Sequence, residues 1–159
     1  MISGWHVTRL PVRVVGSTHS WRVVEEVVVS WPELAIEGFL LASRPFRPLF
    51  LPITDALAVT PFGLEIVSPD QVVQRNRSWR KHVIGLQRQY KNRPVVDERG
   101  VVQGRLKDFL FDEGSMRLTH LIVSRGILGD LISGALVIPV KAIRDLTHNT
   151  IKIQASGES

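Results

Sequence analysis

The chain carries one run of landmarks twice, and this constrains its fold more than any other feature. The stretch Arg93-Pro94-Val95-Val96-Asp97-Glu98-Arg99-Gly100, continued by Gly104-Arg105-Leu106-Lys107-Asp108-Phe109-Leu110-Phe111-Asp112, has a worn counterpart in Leu10-Pro11-Val12 and Arg22-Val23-Val24-Glu25-Glu26-Val27-Val28-Val29. Further on, Leu51-Pro52-Ile53 with Gly63-Leu64-Glu65-Ile66 matches Ile138-Pro139-Val140 with Thr150-Ile151-Lys152-Ile153. The separation is 83 residues at the first match and 87 at the second, so the order of landmarks survives a small insertion. A recurring unit of about 60 to 70 residues that reads as short strands predicts two small β domains related by internal duplication. The boundaries expected are residues 1–67 for a divergent first domain, 68–92 for a linker and 93–159 for the clearer second domain.

Composition narrows the setting. With 44% hydrophobic and 22% charged residues among 159, the chain has a globular makeup, neither disordered nor low-complexity. A half of about 65 residues buries only about 60% of its unfolded surface, so the halves are expected to pack on each other or on a second copy. Cysteine is absent, which excludes disulfides, thiolate metal sites and cysteine nucleophiles. No segment approaches the roughly 18 consecutive apolar residues that span a bilayer, and Met1-Ile2-Ser3-Gly4-Trp5-His6 lacks the basic and apolar regions of a leader. The expectation is a soluble, cytoplasmic protein.

The second copy has the cleaner strand pattern. Pro94–Val96 is extended, Asp97-Glu98-Arg99-Gly100 is a turn, and Gly104–Phe111 alternates, with Leu106, Asp108 and Leu110 on one side and Lys107, Phe109 and Phe111 on the other. A turn at Asp112–Ser115, a β-branched strand at Leu118–Ser124, a glycine-rich apolar loop at Gly126–Gly134 and strands at Ala135–Val140 and Thr150–Gln154 complete it. The first copy repeats this at Val23–Val29, Leu34–Leu41, Pro48–Ile53 and Gly63–Val67, with Trp31-Pro32-Glu33 as a turn. Ser17 and Trp21 stand where Gly100 and Gly104 should be, so that turn must be built differently.

The spacing Val95-Val96-Asp97-x-x-Gly100-x-x-x-Gly104-x-x-x-Asp108-x-x-x-Asp112, followed by a strand, a glycine-rich loop, a Pro-containing strand and a final Ile-x-Ile strand, resembles the PRC-barrel domain. The resemblance covers residues 93–155 closely and 10–67 more loosely, and implies a tandem PRC-barrel protein: mostly β, with two small, strongly bent antiparallel sheets closed into barrels. The family includes the cytoplasmic domain of the photosynthetic reaction centre H subunit and the C-terminal domain of bacterial factors that mature the small ribosomal subunit. Both are binding modules without common catalytic residues, so the resemblance implies recognition, with no cofactor. The membrane helix of the first and the N-terminal RNA-maturation domain of the second have no counterpart in this sequence, and neither function transfers intact.

Between the copies, Ser68-Pro69-Asp70-Gln71 has the form of a capping box with proline at the first helical position. A helix is expected from there, with Val72, Trp79, Val83, Leu86 and Tyr90 within an arc of about 60° and Arg77, Arg80, Lys81, Arg88 and Lys91 opposite. Gly85 costs such a helix about 1 kcal/mol against Ala and is the place for a break. Residues 69–93 hold seven basic residues and one acid, a balance of +6; the remainder holds thirteen and fourteen, a balance of −1. All of the net charge of +5 is therefore local. The basic face fits RNA, an acidic protein or an anionic surface, and fits equally a solvated connector.

Two loops preceding the Pro-containing strands are unusually apolar: Phe46 and Phe50 in the first copy, Ile127, Leu128, Leu131 and Ile132 in the second. Such groups either associate with a partner or plug the end of their own barrel. Chemistry-bearing constellations are weak. The five histidines are scattered without the paired helical spacing of a zinc protease, and Asp108 with Asp112 offers too few oxygens for a hard cation. The sequence thus predicts no metal, no cofactor and no catalysis. The leading expectation is a protein-binding adaptor or self-associating module; the alternative is an RNA-associated factor contacting ribosomal RNA or ribonucleoprotein through its basic face. The aromatic residues, mostly in core-like positions, offer RNA few stacking platforms.

Overall fold

The computed structural model describes residues 1–42, 49–74, 83–85, 89–147 and 149–154. In chain order the elements are β1 (Ile2–Ser3), α1 (Gly4–Val7), β2 (Pro11–Val14), β3 (Ser20–Ser30), β4 (Ile36–Leu41), β5 (Leu49–Pro52), β6 (Leu57–Thr60), β7 (Gly63–Ile66), β8 (Val73–Gln74) and β9 (Val83–Gly85). There follow β10 (Pro94–Val96), β11 (Val102–Asp112), β12 (Arg117–Ser124), α2 (Ile127–Ser133), β13 (Leu136–Pro139), β14 (Ile143–Leu146) and β15 (Ile151–Ile153). The fold is mostly β, as expected.

The strands form two sheets of matching order. The first runs β6-β7-β2-β3-β4-β5-β8, and the second β14-β15-β10-β11-β12-β13. Each contains one parallel pair, β2 with β7 and β10 with β15, set among antiparallel neighbours. The long central strands carry paired bulges at the same places: Val24/Glu26 and Val28/Val29 in β3, Leu106/Asp108 and Leu110/Phe111 in β11. These bulges rephase the alternation read from sequence. Leu106, Phe109 and Phe111 are all buried in one core, where strict alternation assigns Leu106 to the face opposite the two phenylalanines.

The turn after β2, which lacks a glycine at Ser17, is built with the neighbouring one. Gly16 takes φ 85°, and the Ser17 N–H donates to the Val14 carbonyl at 2.9 Å, just as the Gly100 N–H donates to the Asp97 carbonyl at 3.0 Å. The residue at the Gly104 position is Arg22, one further along than Trp21: Val95 faces Gly104 and Val12 faces Arg22.

Neither sheet closes into a barrel, contrary to expectation. Among the described residues no strand pair joins β6 to β8, or β14 to β13. One buried cluster instead contains Val12, Phe39 and Leu64 of the first sheet together with Phe109, Leu121 and Ile151 of the second. The bulges bend both sheets, but burial of their apolar faces is met in a shared core, without the strand pair that would close either one.

The short leading strands are exchanged. β1 precedes the first sheet in sequence yet pairs with β11 of the second, Ile2 facing Phe111 and Ser3 facing Leu110. β9 precedes the second sheet yet pairs with β3 of the first, Ile84 facing Val29 and Gly85 facing Val28. Each residue in one set has its counterpart 82 positions away in the other. Where the sheets meet, the Ile36 N–H donates to the Met116 carbonyl at 2.8 Å and the Leu118 N–H donates to the Leu34 carbonyl at 3.0 Å, around a bridge between Ala35 and Arg117. The same offset of 82 exchanges the two bonds, taking Ile36 to Leu118 and Leu34 to Met116, and Leu34 and Met116 share left-handed backbone, with φ 54° and 55°. The contact has the reciprocal form of a two-fold interface, here within one chain.

The helix expected over Val72–Tyr90 is not continuous. Ser68 does accept the Asp70 N–H in a capping box, but the turn it starts covers only Pro69–Gln71 and leads into β8. β9 is also extended. A Cβ on Gly85 would lie 3.2 Å from the Glu26 carboxyl carbon, so the glycine that weakens a helix here lets this backbone approach β3. The expected apolar loop Gly126–Gly134 is likewise corrected: its centre is the helix α2, bounded by Gly126 at φ 92° and Gly134 at φ 74°. Two glycines that suggested a loop are the two ends of a helix.

Candidate functional site

An apolar surface stands out on the second sheet, built around α2. The helix leaves β12 through a polar anchor. The Ser124 hydroxyl donates to Asp130 Oδ2 at 2.6 Å, the Arg125 N–H donates to Asp130 Oδ1 at 2.9 Å, and the Gly134 N–H donates to the Asp130 carbonyl at 2.8 Å. The Ser124 hydroxyl, and after it the Arg125 N–H, hold the Asp130 carboxyl below its ordinary range. With Asp130 turned to the body of the protein, the other side of α2 faces solvent. Ile127, Leu128, Leu131 and Ile132 are 83, 75, 78 and 85% exposed. They follow at i, i+1, i+4 and i+5, which is one broad helix face.

The outer face of the adjoining sheet is apolar as well. In the first sheet Val28, Leu40 and Phe50 form a separate small core, 4, 5 and 5% exposed. The residues in the same pairing positions of the second sheet are Leu110, Ile122 and Val137. Leu110 and Ile122 are half-buried, and Val137 is 53% exposed. His120, beside Leu110 and facing Pro139, has its Nδ1 buried without a hydrogen-bond partner. The same face of the fold is thus covered in one sheet and open in the other.

The other candidates are placed as follows. Phe50 lies in the first sheet's small core, and Phe46 lies outside the described residues. Of the basic face, Lys91 is exposed in a turn, while Arg77, Arg80, Lys81 and Arg88, with Trp79 of the apolar stripe, lie outside the described residues. Tyr90 is buried, and that burial raises its pKa. The two aspartates weighed as cation ligands serve the backbone: Asp108 accepts the N–H groups of Trp5 and Phe109, and Asp112 those of Gly114 and Ser115. Among the described residues no group of three or more His, Asp or Glu converges on a common point.

Sequence reasoning missed Leu110, Ile122 and Val137 because the bulges decide which apolar residues of β11 and β12 turn outward. It also missed that Trp5, Trp21 and Phe62 are exposed, with the Arg9 guanidinium 4.2 Å over the Trp5 ring.

Residues 86–159, which carry β10 to β15, α2 and this open apolar surface, match the family model of the PRC-barrel domain. No curated protein matches the chain. No helix among the described residues is long and apolar enough to cross a membrane.

Proposed function

We propose that this protein is a non-enzymatic adaptor in which two copies of a PRC-barrel-like unit, joined through residues 68–92, hold a protein partner on the open surface of the second. The duplication is supported by the shared strand order, the equivalent bulges and the recurrent offset of 82 residues. The binding role is carried by one observation: four large aliphatic side chains on α2 are at least 75% exposed. Apolar surface left in water gains about 25 cal/mol per Å² when a partner covers it, and contiguous exposure of this kind marks association surfaces.

The test is capture from a bacterial lysate, followed by binding measurements with the partner so identified. The double variant Leu131→Asp, Ile132→Asp should keep the wild-type circular dichroism spectrum and weaken that partner at least about a hundredfold, near 2.7 kcal/mol. Undiminished affinity in the folded variant removes α2 from the interface. RNA association is the second reading, favoured by the +6 balance of residues 69–93. The two separate by salt, since displacement of phosphate counterions weakens binding steeply between about 0.1 and 0.5 M whereas an apolar interface responds little.

A further inference from the structure

We propose that the free edge of β13 is a strand-addition site, where an extended segment of the partner protein joins the second sheet antiparallel to β13 with an apolar side chain opposite Val137. This rests on the adaptor reading above and states how the partner is held.

The first sheet displays the occupied form. There β8 extends the sheet past β5, with Val73 facing Phe50 and Gln74 facing Leu49. β5 and β13 hold the same place, since Leu51 faces Phe39 and Ile138 faces Leu121 in the same register. Leu136 and Val137 therefore stand where Leu49 and Phe50 stand, and among the described residues no strand lies beyond them. A terminal strand offers alternate N–H and C=O groups to any extended chain that can reach them.

Two further observations select an apolar segment. Exposed edges are ordinarily blunted by charged side chains, but β13 reads Leu-Val-Ile-Pro, with only Pro139 at its end to discourage pairing. The surface flanking the edge is apolar on the side where an added side chain would lie, with Val137, Ile122 and Leu110 on the outer face. In the first sheet that face is buried; in the second it is open.

The probe is a synthetic peptide of residues 68–75, which contains the Val73-Gln74 pair, titrated into the isotopically labelled full chain. Amide shifts are expected at Leu136, Val137 and Ile138, with affinity falling at least about tenfold for Val137→Lys and unchanged for Val15→Lys, an exposed position in the turn after β2. No shift at about 5 mM peptide, or shifts confined to Leu49–Pro52, overturns the proposal. So does a dimer in sedimentation that Val137→Lys dissolves, because it gives the edge to a second copy. The α2 double variant keeps the two readings apart: if it loses the partner while the peptide leaves β13 unshifted, the adaptor reading stands and strand addition falls.

Discussion

Gly104 has no room for a side chain. Its φ of 154° lies in a region that side chains disfavour, and an added Cβ would sit 2.4 Å from the Ser124 carbonyl oxygen and 2.7 Å from Val123 Cγ1. The backbone oxygen cannot swing aside, so strand β11 must shift away from β12. Overpacking and strain of this kind cost about 1–3 kcal/mol, and Gly104→Ala is expected to lower the urea unfolding free energy by about 2 kcal/mol. A loss under about 0.5 kcal/mol in equilibrium denaturation would show that the two strands can part without penalty. The corresponding residue of the first sheet is Arg22, so the demand for glycine belongs to the local path of β11 and not to the strand order as such.

At the scale of elements, the two-residue strand β1 acts far from its own half. Ile2 of β1 is 2% exposed and belongs to the shared core, paired with Phe111. Ile2→Ala should cost about 2–4 kcal/mol, and hydrogen exchange should quicken at Leu110 and Phe111, more than a hundred residues away in sequence. Faster exchange confined to residues near Ile2 in sequence would contradict the pairing. This exchange was not legible in the sequence, because two residues carry no period and nothing local tells Ile2-Ser3 which sheet to join. The longer elements were legible: the prolines at 52 and 139 and the β-branched runs of β3 and β12 place those strands correctly. Periodicity failed where tertiary pairing overrode it. Val83–Gly85 lies in a segment whose apolar spacing suits a helix, but the edge of β3 that β2 does not reach takes it as a strand. Of the candidate site, the apolar residues of α2 were found from composition alone. The neighbouring Leu110, Ile122 and Val137 were not, since their outward direction is set by bulges that leave no mark in a single sequence.

For the whole molecule, the segment that matches the PRC-barrel domain is not expected to stand alone. Residues 86–159 omit β1, which completes β11, and omit Leu34 and Ile36, which bond across to Leu118 and Met116. A fragment of 86–159 should show weak, poorly dispersed amide signals, and recover native dispersion when mixed with a fragment of 1–85. A sharp, native-like spectrum from 86–159 by itself would mean that β1 and the reciprocal contact are dispensable. The exchange of β1 and β9 also bears on how such an assembly withstands dilution. Two separate molecules lending each other a leading strand would part as their concentration fell, whereas strands tethered in one chain meet at an effective concentration near the millimolar range, however few molecules are present. Joining the two halves thus turns an association that depends on abundance into a property of each single polypeptide.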